Sequence, residues 1–278
     1  MKLQTLSLLI VALCFQVQVL AQTQALGIVN YDELETTDGL GLLTKAQAKL
    51  AMDNAMPEQK GLWLCETNCV NPPDTFLGSV DGVDAFSNCQ SNCIRSEYSF
   101  MNLQSKAISV YANDPNDSAL HYVGLIYQCV EYARRWWMKN AGITFGSIDS
   151  AYEIIYLTEG KYIDSGESFS LSRSINGTAR RTPRRGDLLI YYATPGNPNW
   201  RYGHVAVIVD VDHNNGLVSL AEQNYSNQKW QNPKAFSRQI QMFEVGGRYQ
   251  LVDVQNAQNS NSTGGQIAGW VYPTTEAK

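Results

Sequence analysis

The carboxy-terminal half of this chain carries a β-hairpin that constrains the rest of the fold. Residues 204–211 (HVAVIVDV) and 217–223 (LVSLAEQ) are short runs of strand-forming residues. Between them, residues 212–216 (DHNNG) are turn formers. A third run at 187–192 (DLLIYY) precedes the hairpin, and further strands are expected near 249–254 and 268–272. Upstream, residues 127–139 (YQCVEYARRWWMK) read as an amphipathic helix, with Ile126, Val130, Ala133 and Trp137 at steps of four, three and four. A second helix is expected over 150–158. Helices followed by an antiparallel meander predict an α+β fold.

The amino terminus reads as a secretory leader. Lys2 supplies the positive end, residues 6–15 (LSLLIVALCF) the apolar stretch, and Val19-Leu20-Ala21 the small residues before a cut. A signal peptide over 1–21 makes the mature protein secreted, with no stable membrane insertion. The remaining length is enough to bury a core, and 44% hydrophobic against 17% charged residues excludes wholesale disorder. A formal charge of −5 and a pI near 5.3 argue against a nucleic-acid partner, which needs a cationic footprint. The basic run at 180–185 (RRTPRR) reads as a solvated loop before a strand.

With the leader and its Cys14 removed, five cysteines remain: Cys65, Cys69, Cys89, Cys93 and Cys129. The first four form two Cys-x3-Cys units, whose spacing places both thiols of a unit on one helix face. Two such helices, folded back through the Pro- and Gly-rich residues 71–84, predict a disulfide-stapled helical extension over 22–105, together with a helix at 43–56. Antiparallel packing favours Cys65–Cys93 and Cys69–Cys89, although spacing alone leaves the connectivity open. A four-thiolate zinc site is the rival, and secretion favours disulfides. No metal and no organic cofactor is expected.

Cys129 is then the odd thiol, at the start of the predicted helix, where unpaired N–H groups favour thiolate over thiol. Of the three histidines, His213 lies in the turn, His121 lies eight residues before Cys129, and His204 opens a strand. The strand paired with it ends in Glu222 and Asn224, a carboxylate and an amide able to orient an imidazole. His204 shares parity with both, so all three side chains share a face if the hairpin has an odd loop or a bulge. A two-residue turn at Asn215-Gly216 puts Glu222 on the opposite face.

The ordered blocks Tyr127-Gln128-Cys129-Val130-Glu131-Tyr132-Ala133-Arg134-Arg135, Ala151-Tyr152-Glu153-Ile154, Arg185-Gly186-Asp187-Leu188-Leu189-Ile190, Gly203-His204-Val205-Ala206 and Ala221-Glu222-Gln223-Asn224 resemble the CHAP family of cysteine, histidine-dependent amidohydrolases/peptidases. Within it the sequence is similar to glutathionylspermidine amidase domains, over roughly 106–272 and ending at Gly269-Trp270. The resemblance implies a papain-like α+β fold for a CHAP amidase domain at 106–278. It also implies Cys129 as nucleophile, His204 as base and Glu222 as the group orienting it. Gln128, Arg134, Ile148, Asp149, Ser150, Ala151 and Asn224 are implied to line the substrate site. The function implied is cleavage of an amide bond through a thioester, in a glutathionylspermidine-type conjugate or in peptidoglycan. A catalytically silent binding module is the reading from outside the enzymes.

Overall fold

The structure, a computed structural model, describes residues 68–95, 97–112, 114–257 and 264–274. The chain divides into two units, Met1–Glu58 and Gln59–Lys278, and every described residue belongs to the second. The leader, the helix expected at 43–56 and Cys65 lie outside the described residues.

Strands dominate. β1 (Phe76–Val80) and β2 (Val83–Phe86) form a two-stranded hairpin. β3 (Tyr98–Asn102), β4 (Ile108–Tyr111) and β5 (Leu120–Leu125) form a three-stranded sheet in the order β4-β3-β5. After the helix α1 (Cys129–Asn140) come β6 (Ile143–Thr144), a 3₁₀ helix (Ala151–Tyr156), β7 (Glu159–Tyr162) and β8 (Ser168–Ile175). Then follow β9 (Leu188–Tyr191), β10 (His204–Asp212), β11 (Leu217–Ala221), β12 (Arg238–Val245) and β13 (Arg248–Val252). The short α2 (Val254–Ala257) and β14 (Ile267–Pro273) complete the described fold. A nine-stranded sheet orders as β13-β12-β11-β10-β9-β14-β8-β7-β6, so the last strand inserts beside β9. All its pairings are antiparallel. The architecture is broadly α+β and rich in sheet.

The helical extension is corrected. Among the described residues of 22–105 there are strands and turns and no helix. The sequence Val80-Asp81-Gly82-Val83 makes a tight hairpin turn, with Asp81 and Gly82 both at positive φ (55° and 70°), the geometry that matches the twist of paired strands. Cys89 itself sits at φ 74°, which a helix does not allow. The Cys89–Cys93 spacing therefore spans a turn and not one face of a helix. Cys69 and Cys89 are joined in a disulfide, whereas Cys93, expected in a second one, is a buried free thiol. The sheet β4-β3-β5 also runs across the boundary expected at residue 105.

Of the two helices expected downstream, α1 forms over twelve residues and is buried on nearly all sides. The second is a single 3₁₀ segment whose Tyr152, Ile154 and Ile155 are buried. Aromatic and β-branched side chains there gain more from packing than from a regular helix. The core gathers Leu189, Tyr191, Ala206, Ile208, Leu220, Ile240 and Trp270 around the central strands. The basic run is scaffold. Arg181 pairs with Asp187 at 2.6 Å, and Arg185 reaches Asp81 and the Val209 carbonyl. No helix among the described residues is long and apolar enough to cross a membrane.

Candidate active site

The site forms where α1 begins against β10. Gln128 precedes the helix in extended conformation and supplies no side-chain cap, so first-turn N–H groups keep their partial positive charge. Cys129 is the first helical residue and is buried. His204 opens β10 directly after Gly203, whose φ is +67° and where a Cβ would come within 2.5 Å of the Tyr191 carbonyl oxygen. Only glycine allows the chain to turn there and deliver the imidazole.

The register of the hairpin brings the carboxylate onto the same side. Asp212 pairs with Leu217 and Val211 with Val218, but Ile208 pairs with Leu220 and Val207 with Ala221. A bulge at Val209 thus shifts the ladder by one residue and restores the even parity that His204 and Glu222 need. The His204 Nε2 lies 2.7 Å from Glu222 Oε2. The Cys129 thiol hydrogen-bonds the same imidazole. Tyr191, Trp200 and Tyr225 ring the imidazole at centroid distances of 5.7, 6.3 and 5.4 Å.

The electrostatics form a chain of alternating charge. Burial alone would push the Cys129 thiol up. The His204 charge and hydrogen bond, with the N–H groups of Val205 and Val130, outweigh it and hold the thiol below its usual range. For His204, burial disfavours the cation, yet the Cys129 thiolate and Glu222 raise it to about 9. Burial likewise opposes a charged Glu222, and Arg238 together with His204 brings it down to about 2. Arg238 Nε donates to Glu222 Oε1 at 2.6 Å, and its other nitrogens reach Asp253 and the Tyr191 hydroxyl. Ser237 Oγ donates to Glu222 Oε1 at 3.0 Å. A thiolate beside an imidazolium is a strong nucleophile with an acid at hand, suited to attack on a carbonyl carbon.

Sequence reasoning did not find Arg238, Asp253, Tyr191 or Ser237. The signal for Arg238 lies in β12, where Arg238, Ile240 and Met242 alternate inward and are buried. An arginine in an inward slot requires a buried acid opposite it.

The residues expected to line a substrate site separate into groups. Arg134 is not among them in space. Its guanidinium donates to the carbonyls of Phe145 (3.2 Å), Gly146 (2.9 Å) and Val123, and stacks on Phe145. With its donors turned to backbone it acts as a clamp under α1. Gln128 and Asn224 are tied together, Asn224 Nδ2 donating to Gln128 Oε1 at 2.9 Å. Gln128 Nε2 donates to the Cys93 carbonyl at 2.9 Å, and Asn224 Nδ2 to the Ser91 carbonyl at 3.1 Å. Asp149 is exposed, Ile148 half-buried, and Ser150 and Ala151 are buried at the start of the 3₁₀ helix. Ser150 Oγ has no hydrogen-bond partner. Beside His204 opens a cleft of about 200 Å³ lined by Ser91, Asn199, Trp200, Asn224, Tyr225 and Ser226. Among the described residues no three His, Cys, Asp or Glu side chains cluster to hold a metal ion.

The thiol, imidazole and carboxylate thus meet where a helix start abuts an antiparallel hairpin. Residues 120–224 match the CHAP domain family, and the chain carries a CHAP domain there. Over 208 residues it is 29% identical to the bifunctional glutathionylspermidine synthetase/amidase of Escherichia coli (strain K12), a match covering 74% of this chain and 30% of that protein. It is 28% identical over 192 residues to the glutathionylspermidine synthase of Crithidia fasciculata, covering 66% of this chain and 25% of that one. The chain thus spans under a third of the length of these relatives. Among solved structures it is similar to an N-acetylmuramoyl-L-alanine amidase from Staphylococcus aureus, at 17% identity and a TM-score of 0.29, covering 60% of this chain and 35% of that one.

Glu222→Gln isolates the carboxylate's charge while keeping its size. Loss of the charge that raises His204 narrows the pH window in which thiolate and imidazolium coexist. The expected result is an activity loss of about ten- to a thousand-fold. The alkaline limb of kcat/KM, expected near pH 9 in the parent protein from His204, should move to lower pH. A silent substitution with an unmoved limb contradicts the orienting role.

Proposed function

We propose that the chain is a cysteine-dependent amide hydrolase. One observation carries the reading: a CHAP domain holding an unbroken hydrogen-bonded chain from the Cys129 thiol through His204 to Glu222. The Cys129 thiolate attacks the amide carbonyl, and the carbonyl oxygen takes the negative charge. N–H groups at the start of α1 stabilise that oxyanion. His204 gives its proton to the leaving amine, the C–N bond breaks, and a thioester remains on Cys129. His204, now neutral, takes a proton from water as it attacks the thioester, and the thiolate leaves. Glu222 keeps the imidazole oriented and favours its cationic form.

For the substrate, the sequence relatives favour a glutathionylspermidine-type amide. The lining of the cleft favours a second reading, a peptidoglycan peptide or amide bond. Ser91, Asn199, Asn224 and Ser226 offer hydroxyl and amide groups, Trp200 and Tyr225 offer aromatic faces, and among the described residues no carboxylate lines it to receive a polyammonium group. Secretion agrees with this second reading, on the leader sequence and on a disulfide that persists in oxidising compartments. The test is to incubate the purified protein with glutathionylspermidine and with muropeptides and to follow release of amine. Turnover of either, lost in Cys129→Ala, supports the hydrolase. Failure on both, with the thiol intact, counts against it.

A further inference from the structure

The segment from Asn88 to Cys93 lies outside the residues that match the CHAP family, yet it is hydrogen-bonded to each segment framing His204. The Cys93 carbonyl accepts from Gln128, the residue before the nucleophile, at 2.9 Å. The Ser91 carbonyl accepts from Asn224 at the exit of β11, 3.1 Å away. Asn88 donates through its side chain to Asn224 Oδ1 at 3.3 Å and through its backbone to Asn227 Oδ1 at 2.7 Å. On the other side, Ser91 Oγ donates to Asn199 Oδ1 at 2.9 Å, in the loop leading into β10. The root of the segment is fixed by the Cys69–Cys89 disulfide and by Asn71, whose amide donates to the Asn227 carbonyl at 2.7 Å.

We propose that this disulfide-rooted strap is the outer wall of the catalytic cleft and that Ser91 is a specificity-determining residue, setting the size of the group admitted to Cys129. This inference rests on Cys129 as the nucleophile and adds what bounds its substrate. Ser91 is the strap residue that lines the cleft, together with Trp200 and Tyr225. Trp200 meets Tyr225 and His204 edge-to-face, and Tyr225 packs tilted against His204, so that wall is fixed. Width is then set on the other side, by the Ser91–Asn199 clasp. At about 200 Å³ the cleft takes a compact polar group and excludes a bulky one.

Alkylation of Cys129 reads this geometry without any assumed substrate. Native protein is treated with iodoacetamide or with 5-iodoacetamidofluorescein, and peptide mapping separates Cys129 from Cys93. Each rate is normalised to that of N-acetylcysteine, and the ratio of the two reagents cancels changes in thiolate content. In the parent protein the bulky reagent should be disfavoured by about tenfold or more, the scale at which pocket shape discriminates. Asn199→Ala opens the clasp and should bring the ratio toward that of the free thiol. Ser91→Trp should drive it further away. Both positions are at least partly exposed, so folding should tolerate the changes, which circular dichroism checks. A parent ratio equal to that of the free thiol, or a ratio that neither substitution moves, overturns the wall while leaving the hydrolase reading standing. A ratio that shifts as expected in a protein with no amide turnover supports the wall and counts against the function alone.

Discussion

Cys129→Ala and His204→Ala should each lower amide turnover by about 10⁴- to 10⁶-fold, because each removes a member of one working unit. The double variant should be scarcely worse than either single one. Once the thiolate is gone, the imidazolium has nothing to activate, and once the imidazole is gone, the buried thiol loses the charge that lowers it. Purified proteins compared by initial rates, with circular dichroism confirming the fold, give the measurement. Additive losses in the double variant would mean that the two side chains act separately. Appreciable activity in either single variant removes the mechanism.

Arg238→Met should have the largest effect on stability. Arg238 sits between two buried carboxylates, 2.6 Å from Glu222 and also bonded to Asp253. Removing it leaves buried negative charge without its partner, a change that costs about 3–5 kcal/mol. The effect has a pH signature. Glu222 is held at about 2, against an ordinary value of 4.5. Its contribution is present above the ordinary value and lost as pH falls through about 2. Without Arg238 that depression shrinks, so urea-unfolding curves should show the variant losing stability at higher pH on acidification. Activity should fall over the same raised acid range, where a protonated Glu222 no longer favours the imidazolium. A variant as stable as the parent at neutral pH, with an unchanged acid limb, would mean that the arginine is a bystander.

How far the sequence carried the reading depends on the kind of signal. The β10–β11 hairpin was legible because strand runs and a turn-forming stretch occur in one short window. Parity placed His204 and Glu222 on one face given an irregularity, and the bulge at Val209 is that irregularity. No local pattern announces a bulge, so the sequence left both faces open for Glu222. The Cys-x3-Cys units misled in another way. Four-residue spacing satisfies a helix, but Cys89 lies in a left-handed turn, and the Asp81-Gly82 dipeptide just upstream was the better guide. Arg134 stood in the right motif, yet the carbonyls of residues 123, 145 and 146 claim its donors. Those contacts depend on the packing of α1 against its neighbours. The strap shows the same limit, since hydrogen bonds such as Asn88 to Asn224 span 136 positions.

The central claim is that Cys129 forms the covalent bond to substrate. It is tested most directly by quenching the protein in acid during reaction with an activated acyl donor, p-nitrophenyl acetate, and mapping the adduct by mass spectrometry. The expected result is one acetyl group on the peptide containing Cys129, absent from Cys129→Ala and released on return to neutral pH. An acyl group carried on Cys93 or on another residue, or sustained turnover with Cys129 unmodified, would contradict it.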